Sequence, residues 1–281
     1  YVPGMIKACQ IASQGAPSHA NNINEYMAQC SFDMFTSIMF GEFTGLAGGS
    51  GGDKDKHNEK FCTSSIAALE LIVPIIINPV EKLQSSLGLN TKLYSTFRDN
   101  FDVARRLAAK KLERFKERKA NGDLHTDFEK HSYASLAMDR YLSSMGEEGA
   151  LEEDDIGEII VIALIAALDT TSAMLNWCIV HLAMNPAVQE ELFKEISSNV
   201  TIDRQLTEEY FSKANSAYLN AVLRENHRIT PPIALNLTKE NVMDEIEIHG
   251  ETIPKQSMVI CDTRSVGMDP DIVREPNAFD P

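Results

Sequence analysis

One long apolar run limits what this chain can fold into more than any other feature. From Ile156 to Met184 only Glu158 and Asp169 carry a formal charge. An acidic stretch precedes it (Glu147, Glu148, Glu152, Glu153, Asp154, Asp155), and Asn185-Pro186 closes it. Carboxylates suit the positive end of a helix, and proline interrupts one. The run therefore predicts a single helix roughly 45 Å long at ~1.5 Å per residue. Apolar nearly all round, it is expected to be buried across the middle of a domain. Its most apolar part, Ile159 to Leu168, is too short to span a bilayer and is bounded by Glu158 and Asp169.

The middle of this run reads Ala166-Ala167-Leu168-Asp169-Thr170-Thr171-Ser172. Threonine and serine hydroxyls inside a helix can bond a carbonyl one turn back and bend it, so an ordinary structural reading covers them. It covers Asp169 poorly, because a carboxylate buried in a helix needs a partner or a task. Asp169 and Thr170 are candidate catalytic residues on that ground.

The other segments predict a mainly α protein with a small β element. Residues 21–44 carry a helical stripe of Ile23, Tyr26, Met27, Cys30, Met34, Ser37, Ile38 and Gly41. An exposed Gly-rich, charged loop is expected over 45–60. Phe61 to Ile77 reads as a helix broken near Pro74 and ended by Pro79. Residues 91–119 are clearly amphipathic, with Leu93, Phe97, Phe101, Ala104, Ala108, Leu112 and Phe115 on one face and a basic second half. Shorter helices are expected at 134–144, Pro186–Val200 and Ala214–Ile229. Alternation with Gly/Pro punctuation marks short strands over 233–262. The whole of 1–281 is expected to form one partial domain.

Several function classes are excluded. With 26 Lys plus Arg against 41 Asp plus Glu the net charge is -15, which gives nucleic acid no basic footprint. The cysteines at 9, 30, 62, 178 and 261 are odd in number and widely spaced, so neither a disulfide framework nor a structural zinc site is expected. No signal or transit peptide is visible. Gly48-Gly49-Ser50-Gly51-Gly52 spells a nucleophile elbow but lacks the strand before and the helix immediately after. Asp53 stands where the following phosphate-loop pattern requires glycine.

Later motifs are individually weak. Glu225 and Arg228 stand at i, i+3 on a helix, a common surface pair. Further on come Gly250-Glu251-Thr252-Ile253-Pro254-Lys255, then Gly267-Met268-Asp269-Pro270, then Pro276-Asn277-Ala278-Phe279-Asp280-Pro281. In this order, and with the Ala166–Ser172 run before them, these residues resemble the cytochrome P450 family of haem-thiolate monooxygenases. Ala166 to Ser172 is similar to the oxygen-binding region of the family's long I helix. Glu225-x-x-Arg228 is similar to the K-helix pattern, and the last segment to the run that leads into the Pro-x-Arg-Phe/Trp stretch. Residues 26–45 and 61–115 are similar to the mitochondrial branch.

The resemblance implies a partial P450 fold with a long central I helix and a K helix. It implies haem b, with Ala166, Ala167 and Lys239 as contacts to the group. The Cys thiolate ligand is expected after Pro281, because none of the five cysteines here sits in the family's Phe-x-x-Gly-x-x-x-Cys-x-Gly loop. The chain is accordingly expected to be an internal fragment, inactive by itself. It implies that Asp169 and Thr170 relay protons, that Glu225 and Arg228 are structural, and that Leu164, Leu168 and Ala173 line a pocket. Insertion of one atom of O2 into a lipophilic small molecule is the implied reaction. The implied electron donor is a ferredoxin-type or reductase protein, docking through residues such as Lys213 and Arg224. The implied place is the mitochondrial inner membrane, with the endoplasmic reticulum as the alternative. A P450-like isomerase or dehydratase, or a non-catalytic relative, are the competing functions.

Overall fold

In the computed structural model, residues 23–48, 53–144, 153–199, 215–233 and 239–281 are described. Helices dominate: α1 (Ile23–Phe40), α2 (Asp53–Ile77), α3 (Pro79–Ser86), α4 (Lys92–Ala120), the single turn α5 (Asp127–Lys130), α6 (Tyr133–Ser144), α7 (Glu153–Met184), α8 (Pro186–Asn199) and α9 (Ala217–Ile229). Strands β1 (Lys239–Glu240), β2 (Glu245–Ile248), β3 (Glu251–Pro254) and β4 (Met258–Val259) follow, then the short helix α10 (Thr263–Gly267). The chain divides into two compact units, residues 1–172 and 173–281.

The first unit holds the apolar core. Phe32, Phe40, Phe61, Phe115, Ile160, Leu164 and Leu168 are all nearly inaccessible and belong to one cluster. Phe32 and Phe61 meet edge to face with centroids 5.5 Å apart, a geometry aromatic quadrupoles favour. On α4 the expected face is the buried one, with Ala104, Ala108, Leu112 and Phe115 facing inward. Thr91 caps this helix by accepting the Tyr94 amide at 3.0 Å.

Four expectations change here. The loop foreseen over 45–60 is helical from Asp53, and α2 runs unbroken through Pro74. Proline deletes one amide donor and crowds one carbonyl, and the flanking apolar turns keep the helix going. On α1 the expected stripe is rotated: Met34 and Ile38 are exposed, while Phe32, Asp33, Phe35 and Thr36 are buried. Asp33 explains the rotation. Its carboxylate accepts the amides of Leu46 (3.0 Å) and Ala47 (3.1 Å) and the Thr44 hydroxyl, so a charged side chain is satisfied inside the core. Finally, α7 is not buried all round. Ile156, Ile160, Val161, Leu164, Ile165 and Leu168 are buried, while Ile159, Ile162, Trp177, Val180 and Met184 are exposed.

By length and composition alone, Asp155–Met184 is long and apolar enough to cross a membrane, more than its central stretch suggests. The core helix of a soluble protein passes the same test when it is mostly buried, and here 33% of the apolar window is buried.

Two devices hold the end of α4 and the turn after it. Glu129 closes a capping box with Thr126, accepts the His125 amide at 3.0 Å and pairs with Arg118. Gly41 lies against this turn with φ of 65°, and a Cβ there would come 2.4 Å from the Glu129 Cα. Only glycine fits that approach.

In the second unit the strands form two separate antiparallel pairs, β1 with β4 and β2 with β3. The β2–β3 hairpin turns at His249 (φ 51°) and Gly250 (φ 84°), the double positive φ of a two-residue hairpin loop.

Candidate functional site

The sequence candidates lie on α7, on α9 and at β1. On α7 the Thr170 hydroxyl donates to the Ala166 carbonyl at 3.0 Å, and Ser172 donates to the Asp169 carbonyl at 3.1 Å. Asp169 is exposed, not buried as the apolar run led one to expect. It sits one position off the core face, since Leu168 and Ser172 are the buried residues of that turn. Ala163, Ala166, Ala167 and Thr170, spaced i, i+3, i+4 and i+7, form a stripe of small side chains along the helix. Leu164 and Leu168 face the core and cannot line an open pocket, which corrects the expectation for them. The exposed apolar side chains of this half of the helix are Ile159 and Ile162.

The α9 pair is more than a surface contact. Arg228 binds both oxygens of Glu225, Nε to Oε2 at 2.8 Å and Nη2 to Oε1 at 2.6 Å. Its remaining donors reach three carbonyls: Gly267 (2.8 Å), Pro276 (2.8 Å) and Ala278 (2.9 Å). Glu225 Oε1 also accepts the Asp280 amide at 3.1 Å. Burial works to raise the Glu225 pKa, but the Arg228 and Asp280 hydrogen bonds and the nearby positive charge outweigh it and hold the carboxyl below its usual range. Gly267 lies so close to α9 that a Cβ would come 2.9 Å from the Arg228 carbonyl oxygen.

Lys239 is exposed on β1, paired in register with Val259. Arg224 is exposed on α9. Lys213, Cys9 and most of the 48–52 glycine run lie outside the described residues.

Sequence reasoning missed three residues that organise α9. Asn226 is fully buried and donates to the Met174 carbonyl of α7 at 3.1 Å. Glu195 of α8 accepts the Tyr218 and Leu219 amides (2.7 and 2.9 Å), capping a helix whose own Ser216 makes no cap bond. His181 stacks with both Trp177 and Phe279. Neither Glu195 nor Asn226 belongs to a spacing pattern, so no local signal announces them. His181 was detectable as the basic residue in the last turn of α7.

A sequence profile of the cytochrome P450 family matches residues 7–281. The chain belongs to the cytochrome P450 family. It is similar to cytochrome P450 98A1 of Sorghum bicolor, 26% identical over 270 residues that cover 96% of this chain and 48% of that protein. It is also similar to cytochrome P450 2U1 of Homo sapiens, 34% identical over 155 residues, 51% of this chain and 27% of that one. In structure it matches a zebrafish cytochrome P450 solved with progesterone, with a TM-score of 0.74 at 18% identity, covering 99% of this chain and 59% of that one. The P450 fold, mainly helical with few strands, is thus established, and the chain spans about half the length of the first curated relatives it matches.

Membership of this P450 family implies a haem iron. The small-residue stripe of α7 fits one side of a flat macrocycle, since Ala163, Ala166 and Ala167 put nothing larger than a methyl group in its way. Four cysteines lie among the described residues. Burial and the charges of Asp33, Glu25 and Glu59 push the Cys62 thiol up to about 12. Burial likewise raises Cys30 and Cys178, and Cys261 is exposed. Among the described residues no group of three or more His, Cys, Asp or Glu could hold a metal ion.

Proposed function

We propose that this chain carries the oxygen-side half of a haem-dependent monooxygenase that inserts one oxygen atom into a lipophilic small molecule. The observation that carries the reading is the Thr170–Ala166 hydrogen bond beside the exposed Asp169 on the small-residue stripe of α7. Haem, when bound, would supply the redox chemistry on O2, with a cysteine thiolate as the iron ligand.

The chain's own residues manage protons and position. The single proton of Thr170 Oγ1 is committed to the Ala166 carbonyl, so the hydroxyl oxygen is oriented as an acceptor. It holds a water there by accepting one of its hydrogens. The Asp169 carboxylate, open to solvent, collects protons and passes them to that water. Ala166 and Ala167 leave room for the group beside the helix. Glu225 and Arg228 are structural, gripping the chain at 267, 276, 278 and 280. Arg224 contributes to docking of the electron donor. A ferredoxin-type donor places the protein at the mitochondrial inner membrane, and a reductase places it at the endoplasmic reticulum.

The test starts with the transcript beyond Pro281. An in-frame Phe-x-x-Gly-x-x-x-Cys-x-Gly is expected, and the full-length protein is expected to give the thiolate-type carbon monoxide difference spectrum. In that protein Thr170→Ala is expected to lower product formed per electron consumed by ~100-fold, the lower end of what a lost proton-transfer group costs, with peroxide rising. A stop codon directly after Pro281, or a full-length protein without haem, would overturn the reading in favour of a non-catalytic relative. Turnover without NADPH or a donor protein would favour an isomerase or dehydratase.

A further inference from the structure

The C-terminal segment is held from two helices, not one. Arg228 and Glu225 grip it through main-chain atoms of Pro276, Ala278 and Asp280. The second hold comes from the last turn of α7. There the His181 ring stacks on Phe279, nearly parallel at 8° with centroids 4.8 Å apart, and it also stacks with Trp177 at 5.8 Å and 30°. His181 Nε2 lies 3.2 Å from Thr230 Oγ1, the C-cap residue of α9.

The direction of that last bond follows from counting protons. The Thr230 hydroxyl has one, and it goes to the Asn226 carbonyl at 2.9 Å. Thr230 Oγ1 is therefore the acceptor, and Nε2–H of His181 is the donor. Burial lowers the His181 pKa more than the Glu225 charge raises it, which favours the neutral ring that this stack of flat faces accommodates. One imidazole thus touches three elements: α7 through Trp177, α9 through Thr230, and the 276–280 segment through Phe279.

We infer that His181 is a positioning residue that sets the register of the 276–280 segment against α7, acting through the face of Phe279. Arg228 and Glu225 fix main-chain atoms of the segment, and the imidazole adds a hold on one of its side chains. Its importance for chemistry rests on the proposed function, in which the chain after Pro281 supplies the iron ligand and must arrive at a set angle.

The experiment is amide hydrogen exchange in the full-length protein, read at Ala278 and Asp280. Both amides are bonded in this arrangement, to the Glu275 carbonyl at 2.8 Å and to Glu225 Oε1 at 3.1 Å. His181→Ala is expected to speed exchange at both by about tenfold, the loss of one aromatic stack. His181→Phe keeps the stack and is expected to restore protection. His181→Gln keeps a donor for Thr230 but no ring, and is expected not to. If His181→Ala fails to fold, the Phe and Gln variants still decide the matter between them. Unchanged exchange in His181→Ala, or rescue by Gln and not by Phe, overturns the inference. Neither outcome depends on haem, so a missing carbon monoxide band would sink the proposed function and leave this result intact.

Discussion

Arg228 spends all of its useful donors on Glu225 and three carbonyls, and lysine cannot reproduce that fork. Arg228→Lys is expected to destabilise the protein by about 3 kcal/mol, because a half-buried carboxylate and several carbonyls lose their partner. Chemical denaturation of the full-length variant measures this. Glu129 makes the opposite kind of prediction, one in pH. Hydrogen bonds from the Thr126 amide, then from Arg118, then from the His125 amide, hold its carboxyl down to about 2. A depressed folded-state pKa adds stability above the unfolded value, near 4.3, that is lost as pH falls through the folded one. Between those limits the protein is expected to lose on the order of 2 kcal/mol through this group. Glu129→Gln should be less stable near neutral pH and should show a flatter acid limb.

At the scale of elements, α7 is two-faced. Leu164 is inaccessible in the core, and Ile162, two positions earlier, is 59% exposed. Leu164→Ala is expected to cost about 3–5 kcal/mol and Ile162→Ala less than about 0.5 kcal/mol, both read by denaturant midpoint. Gly41→Ala should exceed the ordinary ~1 kcal/mol for a glycine at positive φ, because the new methyl also meets the Glu129 backbone. Most helices were legible in advance because a 3.6-residue apolar period survives in single sequences, as on α4. The face of α1 was not, because its core includes Asp33, and a pattern of apolar residues cannot see a carboxylate satisfied by a loop eleven to fourteen positions on. Asp169 was misread for a related reason. Apolar composition on every side of α7 hides which side has neighbours. Thr170, Glu225 and Arg228 could be picked from motif order, whereas the partners of Arg228 are main-chain oxygens of ordinary residues and have no signature.

For the whole molecule, the buried apolar cluster lies between Phe32 and Leu168. Among the described residues after 172, the buried hydrophobic side chains are Leu192 and Val222. The described part of the second unit shows many hydrogen bonds and few buried apolar side chains, and local opening is easiest where buried contacts are few. Amides of α9 and of the β2–β3 hairpin are expected to exchange faster than those of α4 and the first half of α7, which mass-resolved hydrogen exchange will rank. The chain has a single tryptophan, and it stands against His181. That makes the molecule its own fluorimeter. An imidazolium quenches a neighbouring indole more strongly than an imidazole does, so acidification should dim the emission. The midpoint should fall below the ordinary histidine value near 6.5, because burial lowers the His181 pKa more than Glu225 raises it. One cuvette, with no label attached, would report the state of a single side chain.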